Sequence, residues 1–424
     1  MFSHEPPSLD MRLLKVSLTP YRQRKYEYLA ALLLTFIVLL PKGGIKPGGI
    51  PLTIGYAILF SLAGLSFTAY TYTGRLRWVG RRQFICLVAT LPFFALSTLK
   101  ILGAGFVGMG FTISFYISLF GMPAIFLLLF YHPLRHVSLD FIQNILLKFV
   151  YFTAIYGVFL FFYKLYTGSF IEIPLITVNT GDVGELESKH INRGGIFKLI
   201  STYNNGNLYG VCMLMLLPLV NTFETKTYRK FFLKLALLLT LSRTVWMGLL
   251  IFEVLNFVFL KKKTVSSIVT IATVVMVVFV AMLIGLSLLG RDITFLADSS
   301  LGGRTGQIDA LAESSFFPDM SVRFEVVREM VYFSVIENFG WVSLPFFLLY
   351  LFTPFGLFLL RRTPQSQTLA KRCLALGLVL YYIAAFVDGA ILYIPVMAIY
   401  WLVVVLLLSD TDRSVRPKLV YKHK

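Results

Sequence analysis

Arginine is the side chain best suited to grip a phosphate group, because its guanidinium stays charged at physiological pH and forks onto two phosphate oxygens. Six arginines are candidates for that chemistry: Arg193, Arg243, Arg291, Arg304, Arg323 and Arg328. Arg243 is the most isolated of them. It lies in Thr240-Leu241-Ser242-Arg243-Thr244-Val245-Trp246-Met247-Gly248, between the apolar runs 231–241 and 244–260, and no basic residue follows Lys234 in either run. Arg193 opens a second polar stretch that runs to Gly210 and carries Tyr203, Asn204, Asn205 and Asn207 into the start of an apolar segment. Amides at such a depth either bond between helices or contact a sugar or headgroup, and the sequence leaves both open.

Proton transfer calls for a carboxylate near an acceptor hydroxyl. Glu325 and Glu329 stand four residues apart with Arg328 between them, and Asp319 precedes them in Phe-Pro-Asp-Met. The spacing predicts one shared helix face, which suits either a general base or an ion-paired surface helix. His190 is a lone loop histidine, and His4, His132, His136 and His423 fall on the opposite side of the topology derived below, so no histidine cluster for a metal is expected. Cys86, Cys212 and Cys373 lack the close spacing of a metal or redox site. Neither metal nor cofactor is expected.

The elements that position these groups are membrane helices. The 424 residues are 57% hydrophobic and only 14% charged, with a mean hydropathy of +0.77. Runs of that length and apolarity match the ~30 Å hydrocarbon core of a bilayer. The pattern predicts an all-α polytopic membrane protein forming one integral membrane domain over 1–424. Spans are expected near 27–41, 51–72, 83–101, 106–131, 143–164, 199–221, 231–242, 244–260, 265–289, 331–360, 373–387 and 390–409. The short run 231–242 reads as tilted or partly buried, and 331–360 is long enough for an interfacial turn near Pro345 or Pro354. The first span has no cleavage pattern behind it and reads as retained.

Orientation follows from the distribution of charge. With the N-terminus inside, the inner segments, including the tail 410–424, hold 26 Lys+Arg against 7 Asp+Glu, and the outer segments hold 12 against 13. This is the positive-inside pattern, with both termini cytoplasmic. The formal net charge of +18 therefore reports membrane orientation and attraction to anionic lipid, and argues against nucleic acid as a partner. Two outer segments, 167–195 and 290–330, are too long for simple turns and read as functional loops. All six arginines lie on the outer side, where orientation alone does not call for them.

About twelve spans, a Ser-Arg-Thr at the outer end of a middle helix and a late outer loop with spaced arginines before a Gly-bearing helix make the chain resemble the O-antigen polymerase and O-antigen ligase superfamily. Leu241-Ser242-Arg243-Thr244 with Trp246 is the best local fit. Ser321-Val322-Arg323-Phe324-Glu325, running to Ile336-Glu337-Asn338-Phe339-Gly340, is similar to the late-loop arginine segment. The resemblance implies a GT-C-like, metal-independent, inverting glycosyltransferase of the bacterial inner membrane, working on an undecaprenyl-pyrophosphate-linked oligosaccharide, with a chain-length regulator protein as a partner. It assigns Arg243 to the pyrophosphate and either Arg323 or Arg304 to the second phosphate contact. Glu325 is the carboxylate nearest to that arginine, and Arg193, Arg291, Arg328, Tyr203, Asn204 and Asn207 are expected to line the substrate site.

Ligases of the superfamily carry a histidine about eleven residues before a glycine of the late loop. Here Glu329 occupies the corresponding place before Gly340, and no histidine occurs between Gly290 and Leu360. This departure favours a polymerase of repeat units in surface polysaccharide and lipopolysaccharide biosynthesis, with the ligase as the near alternative. A lipid-linked oligosaccharide flippase is the alternative from another class.

Overall fold

The computed structural model describes residues 20–45, 52–73, 79–179, 184, 186, 192–193, 196–259, 305–360 and 368–409. The first helix, α1 (Pro20–Leu34), runs on into a π-helical turn, Thr35–Leu39, and then into a small antiparallel hairpin of β1 (Gly44–Ile45) and β2 (Leu52–Thr53). Next come α2 (Ile54–Thr73), α3 (Arg81–Ala104) and α4 (Met109–Arg135). Inside α4, Pro123 has no N–H for the α ladder, and π turns lie on either side of it at Ile117–Gly121 and Ile125–Phe130. A long α5 (Leu139–Thr167), capped by the Ser138 hydroxyl, leads to a second two-stranded hairpin, β3 (Asn192–Arg193) with β4 (Ile196–Phe197).

The second half comprises α6 (Gly206–Phe223), α7 (Thr227–Leu239), α8 (Arg243–Phe259), α9 (Thr305–Ala312), α10 (Val331–Phe339), α11 (Ser343–Leu359), α12 (Leu369–Asp388) and α13 (Ile394–Leu408). Among the described residues six helices are long and apolar enough to cross a membrane: Ile54–Tyr72, Arg81–Ala104, Met109–Arg135, Leu139–Thr167, Gly206–Phe223 and Leu369–Asp388. Ser343–Leu359 and Ile394–Leu408 are shorter apolar helices. The protein is thus mainly α-helical and suited to a membrane.

Its centre is formed by α6, α12 and α13. Every residue of α13 is buried, as expected of a helix that is apolar all round. Glycines bring the central helices into close contact. A Cβ on Gly377 of α12 would lie 2.1 Å from the Met215 carbonyl oxygen of α6, and one on Gly210 would lie 2.2 Å from Val245 of α8. Small residues at such crossings allow backbones to approach and pack without a solvent-driven hydrophobic force.

Several expected elements change on folding. The apolar run from 199 does not start a helix there. Leu199–Asn205 is a non-helical segment with a 3₁₀ turn at Ser201–Tyr203, and α6 begins only at Gly206. The run 331–360 does break, at Gly340–Val342, just before Pro345 in the first turn of α11. Gly340 takes φ 73°, and a Cβ there would lie 2.7 Å from the Phe316 carbonyl oxygen. Glu325 and Glu329 do not share a helix face, because the chain from Glu313 to Met330 contains no helix. The expected span 265–289, Arg291, Arg304, His190 and the tail 410–424 lie outside the described residues.

Candidate functional site at the arginine end of the bundle

The site is built on two parallel helices. Gly210 of α6 faces Val245 of α8, and Gly248 of α8 faces Leu214 of α6. The two helices therefore advance in step, and their N-termini, Gly206 and Arg243, emerge at one level. Gly206 has no room for a side chain, since a Cβ would come within 2.6 Å of the Leu199 carbonyl oxygen and 3.3 Å of that of Thr240. The Leu199 N–H donates to the Leu239 carbonyl at 2.9 Å, which binds the segment before α6 to the end of α7. The turn into α8 passes through Leu241 at φ 49°, and the chain leaves this strained point directly into Ser242 and Arg243. Arg243 is the first residue of α8 and is half-buried.

On α6 the cap is Asn205, whose Oδ1 accepts from the N–H groups of Asn207 (2.9 Å) and Leu208 (3.2 Å). Asn207 then turns outward from the first turn. Its Nδ2 donates to Asp388 Oδ2 at 2.5 Å, and its Oδ1 accepts from Lys198 Nζ at 3.4 Å. Asp388 ends α12 and is only 3% exposed. A buried carboxylate persists only where it is paired or hydrogen-bonded, so its position at the N-terminus of α6, bonded to Asn207, is physically consistent. The Gly389 N–H donates to the Glu329 carbonyl at 3.1 Å and thereby joins this corner to the late loop. Tyr393 titrates above its ordinary value, because of partial burial first and then the carboxylates of Asp388 and Glu329. Lys42 Nζ stands 5.3 Å from the Tyr393 ring centre.

The long loops are tied down around this corner. In the first, Glu172 accepts from the N–H groups of Gly184 (2.5 Å) and Leu186 (3.2 Å), and Leu186 packs with Val178 and Ile200. In the second, Lys100 of α3, 2% exposed, donates from Nζ to the carbonyls of Asp319 and Val322, the latter at 2.5 Å. Phe324 is fully buried and its N–H donates to the Gly105 carbonyl at 3.0 Å. Arg323, between these two anchors, is exposed and makes no hydrogen bond or ion pair among the described residues. It is presented outward by a backbone held on both sides.

The remaining sequence-predicted residues separate into two groups. Arg328 lies 3.5 Å from Glu337 and 3.8 Å from Glu325, so it has the ion-paired role that the late-loop spacing also allowed. Burial pushes the Glu337 carboxyl above the usual carboxylate range, with the Arg328 cation opposing and Glu325 adding to the rise. Tyr203 is fully buried and its hydroxyl donates at 3.0 Å to the Val38 carbonyl, which a π turn has left open. Asn204 donates from its side chain to the Thr177 carbonyl. These two hold the fold together, whereas Asn207 points to the charged corner. Arg193 contributes a backbone position to the β3–β4 hairpin.

Two groups were missed by sequence reasoning. Asp388 is the single carboxylate between Glu337 and Asp410, at the end of a long apolar run; that isolation is the signal that was available. Lys198 precedes the amide cluster but carries no such mark. The arrangement as a whole offers cations, an amide and two converging helix N-termini for an anion, beside one buried carboxylate. No family model matches the chain, and no curated protein matches it.

Proposed function

We propose that the protein is a surface-polysaccharide polymerase of the GT-C type, with twelve spans in the bacterial inner membrane and both termini cytoplasmic. It joins undecaprenyl-pyrophosphate-linked oligosaccharide repeat units at the periplasmic face. The observation that carries the reading is the convergence of the α6 and α8 N-termini, with Arg243 at the start of α8 and Asn207 bonded to buried Asp388. Helix N-termini and a guanidinium favour negative charge, and a pyrophosphate leaving group gathers negative charge as its glycosidic bond breaks.

In this reaction a hydroxyl of the acceptor sugar attacks the anomeric carbon of the donor. The bond from that carbon to the pyrophosphate oxygen breaks, its electron pair leaves with the lipid pyrophosphate, and the configuration inverts. Arg243 holds the pyrophosphate, and Arg323 or Arg304 supplies the second contact. The acceptor proton passes to a carboxylate. Asp388 suits that role better than Glu325, whose side chain is 63% exposed with Arg328 at 3.8 Å.

The ligase alternative is disfavoured by the lack of histidine between Gly290 and Leu360. A flippase needs ionisable residues lining a path; on the described helices Lys100 and Lys371 are bound to backbone carbonyls and Lys234 is paired with Glu253 at 2.5 Å, which leaves Lys148 near one end of α5 rather than a continuous path.

The test is reconstitution of the purified protein with lipid-linked repeat units and no other protein. A ladder of lengthened chains is expected. Arg243→Ala should lower its rate by about 10²–10³, the usual loss on removing one charge-stabilising donor. Arg243→Lys should rescue poorly, since an ammonium cannot fork onto two oxygens. A normal ladder from Arg243→Ala removes this residue from the mechanism, and no ladder from the wild-type protein overturns the polymerase.

A further inference from the structure

At the opposite end of the bundle a charged groove remains that the proposed chemistry does not use. One face of α5 presents Lys148, Tyr151, Phe152, Ile155, Tyr156 and Phe159, a helical i, i+3, i+4, i+7 series. With Arg229 from the first turn of α7 these residues line a groove of ≈ 360 Å³ open to the surroundings. That volume lies within the ~300–1,000 Å³ of small-molecule sites. The groove is charged at one end only. Below Lys148 and Arg229 the lining is aromatic and aliphatic, with Phe152, Ile155 and Phe159 all exposed.

The two cations differ in their support. Arg229 stacks over the Tyr151 ring with its guanidinium carbon 4.8 Å from the centre, and its Nη1 lies 3.3 Å from Glu224 Oε2. Its Nε is buried and makes no hydrogen bond. Lys148 is exposed within an apolar helix and makes no hydrogen bond or ion pair among the described residues. Glu224 is already committed, accepting from the Lys226 N–H at 2.9 Å as well as from Arg229. Lys226 and Lys230, in the same turn, add further positive charge. A cation on a membrane-spanning helix without a counterpart among the described residues calls for an anion from outside the chain. An aromatic belt of Tyr151 and Tyr228, ring centres 6.0 Å apart, marks the level at which lipid headgroups lie.

We infer that this groove binds one anionic phospholipid, with its phosphate between Lys148 and Arg229 and an acyl chain along Phe152, Ile155 and Phe159. A free phosphate would fill the charged end but leave the apolar length empty. A zwitterionic lipid would fit the length but bring its own cation to two others. The lipid bridges α5 and α7 at their shared end.

The full-length protein, purified in detergent, is titrated with phosphatidylglycerol and with phosphatidylcholine, and bound lipid is counted by native mass spectrometry. Phosphatidylglycerol should be retained preferentially, and Lys148→Gln should weaken it about fivefold, the size of one interfacial charge. Arg135→Gln, an exposed charge at the same end but off the groove, should leave it unchanged. Ile155→Trp, at a site 37% exposed, should displace the lipid by filling the tail channel without disturbing the core. Equal binding of the two lipids, equal effects of Lys148→Gln and Arg135→Gln, or full retention in Ile155→Trp would each overturn the assignment.

Discussion

Asn207 and Asp388, 181 residues apart, are joined by a 2.5 Å hydrogen bond from the Asn207 amide to the Asp388 carboxylate. The bond links the first turn of α6 to the last residue of α12. It holds Asp388, a buried carboxylate, at the N-terminus of α6, the helix that runs in step with α8 and its first residue Arg243. In the proposed reaction the acceptor proton passes to a carboxylate, the role given to Asp388.

Asp388→Asn therefore separates chemistry from fold. The amide has nearly the same volume and can still bond to Asn207, so the protein should melt close to the wild-type temperature while forming no lengthened chains. Asp388→Ala should lower stability as well, by about 1–3 kcal/mol, because the Asn207 donor is left unsatisfied. Thermal unfolding in detergent and the product ladder are the two measurements. Wild-type chain growth in Asp388→Asn would exclude Asp388 as the base.

Lys100 holds the loop that carries Arg323. Its ammonium spans from α3 to the carbonyls of Asp319 and Val322. Lys100→Met keeps the length and the apolar stem but deletes both charge-assisted bonds, each worth about 1.5–3 kcal/mol. The segment 319–323 should then exchange its amide hydrogens faster and be cut sooner by protease, while α6 and α12 keep their protection. Unchanged exchange over 319–323 would show that Phe324 alone anchors the loop.

Two glycines give opposite expectations. Gly377→Ala drives a Cβ to 2.1 Å from the Met215 carbonyl oxygen, a backbone atom that cannot move aside. The central pair α6 and α12 must separate, at a cost of about 1–3 kcal/mol or more. Gly64→Ala in α2 meets nothing within 4 Å. It should raise stability by up to about 1 kcal/mol through helix propensity. Melting temperatures of the two variants, measured side by side, check the crossing geometry.

The pH dependence of the late loop should have two parts of opposite sign. Hydrogen bonds from the Ser321 hydroxyl (2.7 Å) and N–H (2.9 Å) hold Asp319 below the usual carboxylate range. Its contribution is present above the unfolded value and is lost as pH falls through the depressed one. Burial raises Glu337, so its contribution is present below the unfolded value and is lost as pH rises through the raised one. Glu337→Gln should remove the loss on the alkaline side and leave the acid side as it was. A denaturation series across pH 3–8 reads both arms, and an unaltered alkaline arm in Glu337→Gln would contradict the burial argument.

The apolar runs were legible in the sequence because a helix that meets lipid must be apolar along its length, whatever its neighbours. Arg243 was legible for the same reason, as an isolated cation between two apolar runs. What the sequence could not resolve was the starting point of α6. Leu199 and Ile200 lead into the polar stretch 201–207, and the bond from Leu199 to Leu239 and its packing against Gly157 of α5 hold that stretch in an irregular turn until Asn205 caps α6. The roles of the amides were equally closed to view. Tyr203, Asn204 and Asn207 share composition and neighbourhood, yet the first bonds to the Val38 carbonyl in the π turn after α1, the second to the Thr177 carbonyl and the third to Asp388. Glu325 and Glu329 had helical spacing, but the carbonyls of Asp319 and Val322 are held by a lysine more than two hundred residues away, and the loop stays irregular. Local pattern decides which segments leave water. Which polar groups meet inside depends on pairings between distant segments, and those exist only once the bundle is assembled.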